Sequence, residues 1–191
     1  MASKKSRAIE PIVGDNSGEL LPRIAREHLT SELTKKKRPE AETSEFLSEK
    51  HGVIVTLRTL DGELRGQAGI VKPEAENLIE ETRAQVMEAA RNDVQHPPLK
   101  KTELKKIRIE VTVITPPEEV GSIIELDPEI YGVVLTARKT GRQGLMLPGE
   151  KGLNTVDKQL AAIRRRMGFR PDEPFRIGRF RSATFVEKTE A

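Results

Sequence analysis

The sequence predicts an α+β fold on a mostly antiparallel sheet, because strand-like and helix-like periodicities alternate along the chain. Val53, Val55 and Leu57 alternate with Ile54, Thr56 and Arg58, and Asp61-Gly62 supplies a turn suited to positive φ, so a hairpin is expected there. Residues 131–138 and 144–147 repeat the pattern around Lys139-Thr140-Gly141-Arg142-Gln143. Between and around the hairpins, apolar residues at three- and four-residue spacing predict three main helices. With 191 residues the chain suits one domain, at most two small subdomains, and can bury a core without staples.

Residues 1–18 mix Lys, Ser, Gly, Asp and Asn with few apolar side chains and are expected to form a flexible tail, followed by a single domain over residues 19–188. Leu21, Ile24, Ala25, His28, Leu29 and Leu33 define the first helix. Lys35-Lys36-Lys37-Arg38 has the look of a localisation or nucleic-acid patch, but cations also complement a helix C-terminus, and Pro39 stops the helix. In the first hairpin, a two-residue loop at Asp61-Gly62 pairs Leu60 with Glu63, Arg58 with Arg65 and Thr56 with Gln67 on one face. The other face pairs Leu57 with Gly66, Val55 with Ala68 and Val53 with Ile70, and reads as core.

A second helix spans residues 74–92, with Leu78, Ile79, Thr82, Val86, Ala89 and Ala90 as its apolar stripe, and His96-Pro97-Pro98 fixes an extended exit. A strand over residues 106–115 turns Ile107, Ile109, Val111 and Val113 inward and Arg108, Glu110 and Thr112 outward. After the second hairpin, Asn154 or Thr155 caps a third helix that ends at Gly168. A last strand is expected over residues 176–186.

Composition closes off several chemistries. The chain has no cysteine, which excludes a disulfide framework and Cys-ligated zinc or iron–sulfur sites of its own; His28, His51 and His96 match no metal spacing, and no cofactor is expected. No apolar stretch reaches membrane-spanning length and the first residues lack a signal-peptide core, so a cytoplasmic protein with no membrane partner is expected. A net charge of +3 among 33% charged residues makes no general case for a polyanion partner.

Local charge says more. Facing arginines in the hairpin need a carboxylate, a bound anion or water. Arg58, Arg65, Thr56 and Gln67 therefore form the first candidate site, for an anionic small molecule, because guanidinium forks match planar oxyanions. Gly66 and Gly69 fit close approach by a ligand or a tight bend in a coiled sheet. Glu110 is the candidate partner of Arg65, and in an enzyme acting at this pocket it is the candidate acid or base. A second candidate lies toward the carboxyl end, where Arg165, Arg170 and Arg176 interleave with Phe169 and Phe175 as single-stranded RNA contacts would. The bland alternative is solvated arginines beside buried phenylalanines.

Residues 52–70 contain Gly-Val-Ile-Val-Thr-Leu and Leu-Arg-Gly-Gln-Ala-Gly, which resemble the Gly-Val-Phe-Val-Thr-Leu and Leu-Arg-Gly-Cys-Ile-Gly signature of the AMMECR domain family, whose bacterial members are often called AmmeMemoRadiSam system protein A. Ile109-Glu110-Val111-Thr112-Val113-Ile114-Thr115-Pro116 and Gly144-Leu145-Met146-Leu147-Pro148 resemble two further family segments. In the resemblance, the family's cysteine falls on Gln67 and a second falls on Arg164, so this chain has no thiol for either place. Gly149 stands where the family has Gln, and the Trp-Asp a few residues later is missing. The resemblance implies a strongly curved sheet with the helices packed on it. It also implies an accessory or ligand-binding component associated with a Memo-like protein and a radical SAM enzyme; the enzyme reading and an RNA-binding factor are the alternatives.

Overall fold

The computed structural model describes residues 16–93, 95–170 and 172–188. Up to residue 15 the expected tail lies outside the described residues. In chain order the principal elements are α1 (Leu21–Thr34), α2 (Glu45–Ser48), β1 (Gly52–Thr59), β2 (Leu64–Ile70), α3 (Leu78–Arg91), β3 (Ile107–Ile114), β4 (Glu118–Glu119), β5 (Gly132–Ala137), β6 (Gln143–Met146), α4 (Val156–Arg166), β7 (Phe175–Phe180) and β8 (Ser182–Val186). The fold is α+β with antiparallel sheets and three main helices, as the sequence predicts. The strands form two four-stranded sheets, and the chain divides into two compact units: residues 115–182, and the described residues on either side of them.

In the unit built from the flanking residues, the sheet order is β2-β1-β3-β8. Val53, Val55 and Leu57 of β1 and Ile107, Ile109, Val111 and Val113 of β3 share a core with Leu21, Ile24 and Leu29 of α1 and Leu78, Val86 and Ala89 of α3. The alternation in the sequence thus names the inward face correctly. Local chemistry sets the helix ends. Lys35 adopts a left-handed conformation (φ 60°) and returns its N–H to the Ser31 carbonyl, closing α1. Asn77 accepts from the Glu80 N–H and starts α3 later than expected. Before that cap, the Glu81 carboxylate accepts the N–H groups of Glu74 and Ala75, which holds them in a turn outside the helix.

The first hairpin keeps the expected register from Val53–Ile70 to Leu57–Gly66 and loses it toward the turn. Thr59 N–H donates to the Glu63 carbonyl at 2.9 Å, and Gly62, with φ 91°, donates to the Thr59 carbonyl at 2.9 Å. The loop is therefore Leu60-Asp61-Gly62, one residue longer than expected. Arg58 faces Leu64 instead of Arg65, and a β-bulge at Arg65 restores the pairing beyond it.

The other unit has the sheet order β4-β7-β5-β6, with all three strand pairs antiparallel. Thr155 caps α4 through the Lys158 N–H, and Ile163 of α4 shares a core with Val133, Leu135, Ala137, Met146 and Phe169. The single last strand expected over residues 176–186 is two strands in different sheets. At the break, Arg181 N–H donates to Thr115 Oγ1 (3.0 Å) and Thr115 N–H donates to the Arg181 carbonyl (2.9 Å), which ends the ladder of β7 on β5 at Phe180.

Candidate functional site

On the face of the first sheet opposite its helices, β1 and β3 set Arg58 against Arg108 and Thr56 against Glu110. Arg58 Nε donates to Glu110 Oε2 at 3.0 Å and its Nη1 to the Gly62 carbonyl at 3.3 Å. Glu110, expected to serve Arg65, is thus the carboxylate of Arg58. Arg108 Nε is buried with no hydrogen-bond partner. Gln67 Nε2 donates to the buried Thr56 Oγ1 at 3.0 Å. The patch holds two arginines at paired strand positions, one carboxylate, an amide and a hydroxyl, so positive charge is in excess.

Arg65 is engaged elsewhere. Its Nε and Nη2 donate to Glu103 Oε1 (2.7 Å) and Oε2 (3.1 Å), a bidentate pair with the Arg65 side chain only 12% exposed. The Arg65 hydrogen bonds hold the Glu103 carboxyl below the usual carboxylate range, against the opposing effect of burial. Glu103 also accepts the Lys100 N–H at 2.8 Å. Sequence reasoning missed Glu103 because it sits in a short 3-10 turn, Lys101–Lys106, whose one signal is the spacing of an acidic residue three positions after the turn's cap.

Gly66 and Gly69 are both sites of close packing, Gly66 buried against α3 and Gly69 exposed beside β1. A Cβ on Gly66 would lie 2.3 Å from the Ala89 carbonyl oxygen of α3, and one on Gly69 would lie 2.6 Å from Ile54 Cγ1. Beside the Gln67 backbone, the Asp93 carboxylate, also missed from the sequence, gathers four donors. Gln67 N–H bonds to its Oδ2 (3.0 Å), and the Gln95 N–H, His96 N–H and His96 Nδ1 bond to its Oδ1 at 2.9, 2.9 and 2.8 Å. Burial works to raise the Asp93 pKa, and these hydrogen bonds outweigh it and hold the carboxyl below its ordinary value.

In the unit of residues 115–182, the arginine-rich end does not form one basic face. Arg165, Arg170 and Arg176 are all exposed. Arg165 lies on α4, which packs on the sheet face carrying Leu135 and Ala137. Arg176 pairs across from Thr136, between those residues on the strand, and therefore points to the reverse face. Two of the phenylalanine rings already carry guanidiniums: Arg142 over Phe169 at 4.7 Å and Arg164 over Phe175 at 5.2 Å. Among the described residues there is no group of three or more His, Asp and Glu arranged to hold a metal, and no helix is long and apolar enough to cross a membrane.

Comparison with known proteins supplies the family. The AMMECR1 family model matches residues 22–185. A Thermotoga maritima protein is 38% identical over 142 residues, which cover 74% of this chain and 80% of the relative. A Methanocaldococcus jannaschii protein is 33% identical over 189 residues, covering 89% and 90%. A Clostridium acetobutylicum protein is 35% identical over 162 residues, 83% of this chain but 34% of that longer relative. The crystal structure of an uncharacterized protein from Pyrococcus horikoshii superposes with a TM-score of 0.81 at 28% identity, over 93% of this chain and 94% of the other. The chain belongs to the AMMECR1 family.

Proposed function

We propose that this AMMECR1-family protein is a ligand-binding accessory component whose ligand is a small organic or inorganic anion held between Arg58 and Arg108. The observation that carries the reading is the pairing of Arg58 and Arg108 on neighbouring strands, with one carboxylate, Glu110, bonded to Arg58 and the Arg108 Nε buried without a partner. Like charges directly opposite one another destabilise a sheet, and an oxyanion would relieve both the repulsion and the unmet donor. Thr56 and Gln67 supply neutral polar neighbours, while Arg65 supports the turn through Glu103.

The resemblance in the sequence further suggests that the ligand or its protein complex is shared with a Memo-like protein and a radical SAM enzyme in the cytoplasm. In the enzyme version of the same reading, Glu110 is the acid or base, and its engagement by Arg58 means that substrate must displace that arginine first.

Calorimetric titration with inorganic phosphate and with citrate tests the anion site. Arg108→Gln is expected to weaken binding by about tenfold or more, the size of a lost charge-assisted hydrogen bond, with thermal stability unchanged or raised. Binding equal to that of the unaltered protein would eliminate the site.

A further inference from the structure

We infer that α4 carries a second binding site, for a small amphipathic carboxylate with an apolar body. An open cavity of about 490 Å³ runs beside this helix, a size within the range of pockets for small organic molecules. Its helical wall is Asp157, Leu160, Ala161 and Arg165, residues three, four and eight positions apart that share one side of α4. Phe169 and Phe175 form the facing wall. The fully buried residues of α4 are Gln159 and Ile163, while Leu160 and Phe175 are partly buried against the same core, so the cavity opens along the core's edge.

Charge orients the ligand. Asp157 lies in the first turn of α4 and Arg165 in the last, about 12 Å apart along the axis at the rise of an α-helix. Arg165 is exposed and takes part in none of the described ion pairs. Arg164, which also lines the cavity, is fixed over the Phe175 ring and donates to the Arg170 carbonyl at 2.9 Å. The apolar middle thus opens toward a cationic end with one guanidinium held in place and another available. A planar carboxylate fits a guanidinium fork, and an alkyl or phenyl body fits against Leu160, Ala161 and the exposed part of Phe175.

Single-stranded RNA is the weaker occupant. Stacking needs open aromatic faces, and Arg142 and Arg164 already cover one face each of Phe169 and Phe175. Arg176, the third arginine an RNA strand would use, belongs to the reverse side of the sheet.

The test uses heteronuclear NMR of the full chain with three probes: phenylbutyrate, its neutral analogue phenylbutanol, and oligouridylate. Phenylbutyrate at millimolar concentration is expected to shift amides between residues 157 and 175 and to bind about tenfold more tightly than phenylbutanol, as one charge-assisted contact would give. Arg165→Gln should remove that preference. Ala161→Trp, at an exposed position, should fill the cavity and abolish binding of both while the remaining spectrum stays folded. Equal binding of acid and alcohol, persistence of binding in Ala161→Trp, or no shifts at all would overturn the proposal. So would oligouridylate shifting residues 165, 170 and 176 together while phenylbutyrate shifts none. Because the Arg58 and Arg108 patch lies in the other unit and none of these variants touches it, phosphate binding there succeeds or fails independently.

Discussion

In the β1–β2 hairpin a strand glycine lets a helix backbone touch the sheet, whereas in the β5–β6 hairpin a strand glycine makes room for side chains. A Cβ on Gly66 would meet the Ala89 carbonyl oxygen at 2.3 Å. One on Gly144 would meet Met167 Cγ at 2.3 Å and Ile163 Cγ2 at 2.9 Å. The distances match, yet the obstacles differ. The Ala89 carbonyl belongs to the backbone of α3 and cannot retreat without moving the helix. An unbranched methionine at the end of α4 can choose another rotamer. Equal proximity therefore corresponds to unequal tolerance, and the rigid contact lies on the helix face of the sheet, opposite the polar patch proposed for the anion.

The largest effect is expected for Gly66→Ala, a loss of about 3 kcal/mol measured by urea denaturation, at the upper end of overpacking costs. Gly144→Ala should cost about 1 kcal/mol, limited by the adjustment of Met167 and by the need for Ile163 to yield slightly. Were the two substitutions to cost the same, the distinction between backbone and side-chain obstacles would collapse.

Glu103→Gln sharpens the comparison from the charged side of the first hairpin. Its expected cost at neutral pH is about 1 kcal/mol, because the Glu103 partner is partly exposed and solvent discounts the bidentate pair. The sign of its pH dependence follows from the lowered pKa of Glu103. A carboxyl held lower in the folded state than in the unfolded chain stabilises the fold above its ordinary value of about 4. That contribution disappears as pH falls through the folded-state pKa. Denaturation midpoints measured from neutral pH downward should therefore converge for the Gln variant and the unaltered protein, apart from the part of acid sensitivity that Asp93 shares by the same sign.

How much of this was legible in the sequence depended on whether a feature was local. The alternation through Val53, Val55 and Leu57 gave the right core face because one inward set must be buried, and Thr155 announced α4 because a cap acts on the next turn. Asp61-Gly62 was ambiguous, since Gly with positive φ closes a three-residue loop as readily as a two-residue one. The bulge at Arg65 then hid the error by cancelling it after one residue. The polar patch proposed for the anion was half legible: Arg58, Thr56, Gln67 and Glu110 could be counted onto one face, but Arg65 found Glu103 through a 3-10 turn that no periodicity marks. Likewise, β7 and β8 are separated in the chain by Arg181 alone, so the sequence offered no gap at the point where one sheet ends and another begins.

Asp93 has one more effect, on the protein's behaviour at high concentration. β2 is the outermost strand of its sheet, and the Gln67 N–H that points away from β1 is already bonded to the Asp93 carboxylate. A strand from another molecule seeking to extend the sheet would find this donor taken and would have to bring its own carbonyl against a negative charge. Edge strands are where ordered aggregates begin, and a single carboxylate at mid-strand is thus a local guard against self-association.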